Sequence, residues 1–177
     1  MADYTKRNRR RLRVGVAYAI LAFAAVPAAA AADAEDPRYV LGVIEDTAYA
    51  ETIIDGDYAT AIAAIDTKRR HLLNRFYAAN NLCVALVAAR DFDRAAPVCN
   101  GAVEMLQPRA KAVRRGSAAE YARLTAIALS NRGVMHALNG DEGAARSDFG
   151  AARELGARLE APRVNLAKLD TAGAASA

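Results

Sequence analysis

Tryptophan is absent from this sequence of 177 residues, and seven tyrosines and four phenylalanines are its only aromatic residues. Aromatic and β-branched residues dominate β-sandwich strands, so the low aromatic content argues against that fold. Alanine, leucine, arginine and valine are abundant instead, while glycine and proline are scattered along the chain. Such a composition is typical of packed helices with small residues at their contacts. It predicts an all-α domain that is long enough to bury a core.

Histidine and cysteine are also scarce, with two of each. His71 follows the basic run 68–70 and is predicted to be solvated, whereas His136 is predicted to pack in the core. Ser130 lies six residues before His136 and therefore falls on a different face of the same helix. Neither a Ser-His-Asp set nor a metal-ligand cluster can be assembled from these residues. We expect a protein that is not an enzyme, with no cofactor and no metal.

The N-terminal segment has the three parts of a secretory signal. Six Lys and Arg residues lie within residues 1–13, an apolar stretch covers residues 14–32, and a run of alanines follows Pro27. A signal peptidase accepts only small side chains beside its cut. The pattern therefore predicts a signal-peptide helix over residues 1–32, cleavage near residues 30–32, and an exported protein that is periplasmic or secreted.

The alternative is an uncleaved inner-membrane anchor, because the apolar residues 14–32 are just numerous enough to span a bilayer. Alanine is only weakly apolar and Pro27 would interrupt such a helix, which favours cleavage. No cysteine lies near the predicted cut, so a lipid-anchored lipoprotein is excluded.

The basic charge of the chain belongs to this N-terminal segment. The whole sequence has a formal charge of +4, from 24 Lys and Arg against 20 Asp and Glu. Residues 1–32 contain six of the basic residues and one acid, Asp3, so 18 basic and 19 acidic residues remain, a net charge of −1. A mature chain with this balance lacks the basic surface that nucleic-acid binding requires.

Three segments of the sequence align as a turn, an acidic helix cap and a following alanine. They begin at Gly56, Arg90 and Gly140, and the first two are 34 residues apart. The period and the residue pattern resemble the tetratricopeptide repeat family. The resemblance implies stacked antiparallel helical hairpins, an α-solenoid of about three repeats.

The resemblance extends to individual repeat positions when the turn residue is counted as position fifteen. Small residues are expected where paired helices cross, because only small side chains allow a close approach. These positions hold Tyr49, Cys83 and Gly133 (position eight), Ala61, Ala95 and Ala145 (position twenty), and Lys68, Ala102 and Ala152 (position twenty-seven). Position twenty-four, with Ile65, Cys99 and Phe149, is expected to fill the space beside the crossing. Repeat three matches best, and repeat one is the weakest because of Tyr49.

These positions set the predicted domain boundaries. A linker is expected at 33–41 and a helical domain at 42–170, with repeats at about 42–75, 76–109 and 126–159 and an insertion at 110–125. The insertion is expected to begin as a basic loop, and a capping box at 117–120 is expected to start a long helix near residue 118. Pro162 is expected to end the third hairpin, followed by a short helix at 163–170 and a disordered tail at 171–177.

The two cysteines fall at positions eight and twenty-four of the same predicted repeat, on facing helices. An oxidising compartment would favour a disulfide between Cys83 and Cys99. Two buried free thiols remain the alternative, because a thiol also packs as a small apolar group.

The first helices of the repeats are expected to line a groove that binds a protein or peptide partner. The resemblance also suggests a test for the clamp by which some members of the family hold a partner's C-terminal carboxylate. Of the five positions concerned, only Asn81 matches; Asp46, Ala50, Ile127 and Asn131 do not. The predicted groove residues are Asp46, Tyr77, Asn80, Asn81, Val84, Val87 and Asn131.

The sequence therefore favours a non-enzymatic interaction module of the cell envelope whose partner is a protein or peptide. The alternative is a structural subunit that packs within a larger envelope assembly or a homo-oligomer. Three repeats are the minimum for a stable stack, and an uncovered end of the stack invites self-association.

Overall fold

The computed structural model of the protein describes residues 16–20, 39–45, 47, 49–65, 67, 71–110 and 115–175. This part of the chain is mostly helical, which confirms the all-α prediction. Its elements are strands β1 (Val16–Ile20) and β2 (Val40–Ile44) and helices α1 (Ala50–Ile54), α2 (Tyr58–Ala64), α3 (Leu72–Ala88), α4 (Phe92–Ala110), α5 (Arg115–Leu138), α6 (Glu142–Leu155) and α7 (Glu160–Ala175).

The helices pack in chain order, each against the next along the chain from α1 to α7. Helix α5 also contacts both α3 and α7, so these three helices form a row. Short turns connect α3 to α4 and α5 to α6, and such turns pair helices in antiparallel fashion. Strand β2 contacts all three helices of the row.

The three aligned segments form the same turn. In each, a residue with a left-handed backbone ends the first helix, at Gly56 (φ 85°), Arg90 (φ 58°) and Gly140 (φ 84°). In each, the N–H of the following aspartate donates to a carbonyl five residues back, with distances of 3.0, 3.0 and 2.9 Å. Glycine adopts the left-handed conformation without strain, which explains its presence in two of the three turns.

The same aspartates start the second helices, as the sequence predicted. The side chains of Asp57, Asp91 and Asp141 each accept a hydrogen bond from the backbone N–H three residues on, with distances of 3.1, 3.3 and 3.0 Å. An acidic N-cap satisfies a donor that has no partner within the helix and interacts favourably with the helix dipole. The pKa of Asp57 is lowered by its hydrogen bonds to Thr60.

The helices of successive hairpins meet at equivalent positions. In the hairpin of α3 and α4, Cys83 and Cys99 form a disulfide with a Cα–Cα distance of 5.0 Å. In the hairpin of α5 and α6, Gly133 and Phe149 occupy the same two positions. A Cβ on Gly133 would lie 2.6 Å from Cε1 of Phe149, so only glycine allows the ring to lie against α5. Of the two alternatives for the cysteines, the structure has the disulfide between Cys83 and Cys99.

The structure differs from the sequence analysis before and within the first predicted repeat. Residues 40–44, predicted as the end of a linker and the start of a repeat, form strand β2. The first helices that follow are short, with five residues in α1 and seven in α2. Residues 40–44 form a strand for a local reason, because Gly42 disfavours a helix and the valine and isoleucine residues around it favour an extended chain.

Two helix boundaries also differ from the predictions. Helix α5 begins at Arg115, so Ser117 lies inside the helix and not at its N-cap. The carboxylate of Glu120 accepts hydrogen bonds from Arg123 instead of closing a capping box. The basic loop was predicted at 109–116, but residues 109–110 belong to α4 and residues 115–116 to α5. Residues 111–114 lie outside the described part of the chain.

The C-terminal prediction is corrected in a similar way. Helix α6 ends at Leu155, and Pro162 lies in the first turn of α7, where the missing N–H has no helical partner to lose. Helix α7 continues to Ala175, through most of the tail that was predicted to be disordered. Burial of Leu169 ties this helix to the core.

The predicted signal-peptide helix is not confirmed. Five of its residues, Val16–Ile20, form β1, which pairs with β2 in antiparallel fashion. The remaining residues of the predicted signal lie outside the described part of the chain. Among the described helices, none is both long and apolar enough to cross a membrane.

Replacing Cys83 and Cys99 together by alanine should lower the free energy of unfolding by about 3 kcal/mol, because the disulfide closes a loop of this length in the unfolded chain. Urea denaturation of the oxidised wild-type and variant chains measures the difference. A reductant should produce the same loss in the wild type and none in the double variant. An unchanged wild-type midpoint under reducing conditions would contradict the prediction.

Gly133→Ala should lower the free energy of unfolding by about 2 kcal/mol, because the added methyl group overlaps the ring of Phe149. Gly150→Ala is the matched control, since no atom beyond its chain neighbours and its own helix backbone lies within 4 Å of the position its Cβ would take. That control should raise the stability by about 0.5–1 kcal/mol through helix propensity. Urea denaturation compares the two, and a Gly133→Ala chain as stable as the control would rule out the close contact.

Candidate binding groove and its asparagine ladder

Strand β2 lies across the row formed by α3, α5 and α7, with its backbone in the interior. Leu41, Val43 and Ile44 are fully buried. A strand among helices has no neighbouring backbone to pair with on the helical side, yet its buried N–H and C=O groups need partners. The site therefore depends on side chains that can take the place of a neighbouring strand.

Asparagine carboxamides fill that role at every second residue of β2. Each carboxamide binds one strand residue twice, accepting from its N–H and donating to its C=O. The pairs and their N–H and C=O distances are Asn165 with Val40 (2.7 and 2.8 Å), Asn131 with Gly42 (2.7 and 2.9 Å) and Asn81 with Ile44 (2.9 and 3.0 Å). We call these three residues the asparagine ladder.

A fourth asparagine connects the ladder across helices. Asn80 donates to the carbonyl of Gly42 (3.1 Å) and to Oδ1 of Asn81 (3.3 Å). It accepts from Nδ2 of Asn131 at 3.0 Å. All four asparagines are at most 1% exposed, and every buried side-chain N or O atom in the described part of the chain has a hydrogen-bond partner. The network therefore holds polar groups in the core without an unsatisfied atom.

The ladder follows the repeat. Asn81 and Asn131 lie two residues before Cys83 and Gly133, so they share position six of their repeats. Asn165 follows Asn131 by 34 residues, one full period, although it lies on a helix to which no repeat was assigned. Helix α7 thus presents Asn165 to β2 as α5 presents Asn131. Strand β2 meets α7, then α5, then α3, and so runs against the order of the helices.

The side chains of β2 add apolar contacts to this polar pairing. Leu41 and Val43 belong to one buried cluster with Val84 and Val87, and Ile44 belongs to a second one. The ring of Tyr39 stacks on Phe149 with a centroid distance of 6.1 Å. The carboxamides bind only main-chain groups, so the apolar side-chain contacts determine which extended sequence fits the groove.

The chain leaves the groove through a polar turn. The hydroxyl of Thr47 donates to the carbonyl of Ile44 at 2.9 Å and accepts from Nδ2 of Asn81 at 2.7 Å. The backbone N–H of Ala50 donates to the carbonyl of Thr47 at 3.3 Å, which leads into α1. Asn81, the ladder residue at the C-terminal end of β2, therefore binds both the strand and the turn that follows it.

The structure brings most of the predicted groove residues together. Asn80, Asn81 and Asn131 bind the strand directly, and Val84 and Val87 pack in the cluster that contains its side chains. The segment that they bind belongs to the chain itself, which the sequence analysis did not anticipate.

The other two predicted residues are Tyr77 and Asp46. Tyr77 is half-buried beside Phe76, with a ring centroid distance of 5.9 Å, and packs against the cluster that contains Ile44. Burial, followed by the charge of Glu120, raises the pKa of Tyr77. Asp46 lies outside the described residues.

Two groove residues were missed. Asn165 was assigned only to a short closing helix, although its spacing of 34 residues from Asn131 would have identified it. Ser130 is buried and accepts a hydrogen bond of 3.4 Å from Nδ2 of Asn165, so it supports the ladder.

A charged pair stiffens the hairpin beside the groove. Arg132 on α5 donates to both carboxylate oxygens of Asp148 on α6, each at 2.7 Å, and to Asn100 on α4 at 3.1 Å. The hydrogen bonds to Asp148 raise the pKa of Arg132. His136, predicted to pack in the core, is partly buried with Nε2 3.9 Å from the same carboxylate. The pair fixes α5, which carries the central asparagine.

Comparisons with family models, with curated proteins and with solved structures find no match to this chain.

Asn131→Ala should lower the free energy of unfolding by about 3 kcal/mol, because it leaves the buried N–H of Gly42 without an acceptor and removes two donated hydrogen bonds. Asn74→Ala, at an exposed position of α3, is the control and should change the stability by less than about 0.5 kcal/mol. Urea denaturation measures both. Equal stability of the two variants would show that the ladder does not hold the strand.

Asn131→Asp should make stability depend on pH. One carboxylate oxygen still accepts from the N–H of Gly42. The other replaces Nδ2 and faces two oxygen atoms, the carbonyl of Gly42 and Oδ1 of Asn80. Burial and these two oxygens raise the pKa of the introduced aspartate above its ordinary value. A raised folded-state pKa means that the variant loses stability as pH rises from about 4 to 7. Denaturation at a series of pH values should show this loss in the variant and no matching loss in the wild type. Parallel curves would contradict it.

Proposed function

We propose that this protein is a non-enzymatic interaction module of the cell envelope that binds a protein partner as an extended segment. The asparagine ladder carries the proposal. Three carboxamides at equivalent places on α3, α5 and α7 each hold the N–H and C=O of one residue in an extended chain. A groove that pairs with main chain in this way suits peptide recognition, because every extended sequence offers the same groups.

The tetratricopeptide resemblance supports a groove of this kind. The turns at Gly56, Arg90 and Gly140 share one hydrogen-bond pattern, and Asn131 and Asn165 are separated by the period of that family. We propose that α3 to α7 stack as hairpins of a tetratricopeptide-like solenoid, with α7 in the place of a first helix.

The disulfide supports the proposed location. Disulfides persist in oxidising compartments and are rare in the cytosol. The bond between Cys83 and Cys99 is therefore compatible with an exported protein whose residues 1–32 serve as the export signal. Cleavage of that signal is part of the proposal.

A structural subunit of an assembly or homo-oligomer is the second candidate. The chain contains both the groove and a segment, 39–45, that fits it. The segment of one copy could occupy the groove of another, which is the arrangement of a domain-swapped oligomer.

The test uses a fluorescein-labelled peptide of residues 38–47 and the full chain with Gly42→Pro. Proline removes the N–H that donates to Asn131, so the chain's own segment should leave the groove and the peptide should enter. We expect saturable binding to this variant by fluorescence anisotropy. Binding to the wild type should be far weaker, because its own segment competes at a high effective concentration.

Two further variants decide whether the ladder is the binding site. Adding Asn131→Ala to the Gly42→Pro chain should weaken peptide binding at least about tenfold, whereas adding Asn74→Ala should leave it unchanged. No binding to any variant, or equal binding to both, would contradict the proposal. Light scattering over a range of concentrations separates the second candidate, which predicts an oligomer that the peptide dissociates.

A further inference from the structure

The edge of β2 that faces away from the asparagine ladder is the second place where an extended chain is held. N–H and C=O groups of successive strand residues point to opposite edges. Val40, Gly42 and Ile44 direct theirs toward the ladder, so the backbone groups of Leu41 and Val43 point to the outer edge. Strand β2 therefore has one edge satisfied by side chains and one edge suited to a strand.

Strand β1 occupies that outer edge in the structure. The pairing is antiparallel, with Ala19 opposite Leu41 and Ala17 opposite Val43. Because Leu41 and Val43 present their backbone groups to this edge, these two are the pairs that exchange hydrogen bonds. The segment that covers the edge, Val16–Ile20, lies within the predicted export signal.

We infer that the outer edge of β2 is a strand-addition site that accepts an extended, uncharged segment of a partner protein once export has removed residues 1–32. The inference goes beyond the proposed function, in which the partner enters the groove, and it rests on the proposed export, because cleavage must first remove β1. In this second mode β2 stays in the groove, and the partner pairs with the outer edge of β2. The ladder thus acts as the support that holds a receptor strand in place.

The ladder makes this edge a good receptor. Main-chain hydrogen bonds supply the affinity in strand addition, but they do so only if the receptor strand is already ordered. Three carboxamides and the buried side chains of Leu41, Val43 and Ile44 hold β2 extended. A partner segment therefore orders only itself on binding.

The register of β1 indicates the chemistry of the partner. Its sequence, VAYAI, has no charged residue and alternates larger residues with alanine, and Tyr18 stands opposite Gly42. A second copy of β2 in antiparallel pairing centred on this residue would place Gly42 opposite Gly42, where no side chain supports the pairing. We therefore favour a different protein as the partner.

The experiment uses the full chain with Ala17→Pro and Ala19→Pro, which removes both N–H groups that β1 donates to β2. The matched control carries Val16→Pro and Ile20→Pro, whose lost N–H groups face away from β2. The probe is a fluorescein-labelled peptide of residues 14–22 with two lysines appended for solubility. We expect saturable binding to the first variant and little binding to the control or the wild type, whose edge remains covered.

N-methylated probes identify the edge. Methylation at Ala17 and Ala19 should weaken binding about thirtyfold, because two hydrogen bonds are lost. Methylation at Val16 and Ile20 should leave it unchanged. Equal binding of the two methylated probes, or no binding of the unmodified probe to the first variant, would overturn the inference. A dimer of the first variant in light scattering would also overturn it, in favour of pairing between two copies.

Amide exchange provides a reading that does not depend on the probe. In the wild type the N–H groups of Leu41, Gly42 and Val43 should all be protected. In the Ala17→Pro, Ala19→Pro variant, Gly42 should stay protected while Leu41 and Val43 exchange faster. Unchanged protection of Leu41 and Val43 would overturn the inference. Loss at Gly42 as well, together with no binding of the 38–47 peptide, would instead be a failure of the proposed function.

Discussion

The pairing of buried strand backbone with asparagine carboxamides is the interaction on which the rest of this structure depends. A carboxamide carries an NH2 donor group and a carbonyl acceptor side by side, which is the arrangement that a neighbouring strand would present. Asn81, Asn131 and Asn165 therefore act together as a substitute strand on a helical surface. Without them β2 would bury several unsatisfied polar groups, at a cost that its apolar side chains could not easily offset.

The helical framework serves this pairing by spacing the asparagines. Residues two apart on a strand lie about 6.6 Å apart, and the ladder works only if successive first helices present a carboxamide at that interval. Each hairpin keeps the interval through a shared turn and a close contact between its helices. Cys83 with Cys99 and Gly133 with Phe149 are two chemical solutions to the same close contact. The Arg132–Asp148 pair adds stiffness beside Asn131.

Periodicity made much of this architecture predictable. The helical class, the three turns, their aspartate caps and the asparagines of α3 and α5 follow from residues that recur at fixed spacing. The strand was harder to predict, because the valine and isoleucine residues of 40–44 favour an extended chain without showing that Asn131 and the other ladder residues would pair with it. Asn165 was missed because the period was not extended past Pro162. Which segment fills the groove is decided by tertiary contacts, and the local sequence pattern does not show them.

The carboxamide of Asn131 binds the backbone of Gly42 at the centre of the ladder. The most direct measurement is the scalar coupling, transmitted through the hydrogen bond, between the amide nitrogen of Gly42 and the side-chain carbonyl carbon of Asn131. We expect a detectable coupling in the isotope-labelled wild-type chain, together with a separate, slowly exchanging side-chain amide resonance for Asn131. Absence of the coupling, with averaged and rapidly exchanging signals for both groups, would contradict it.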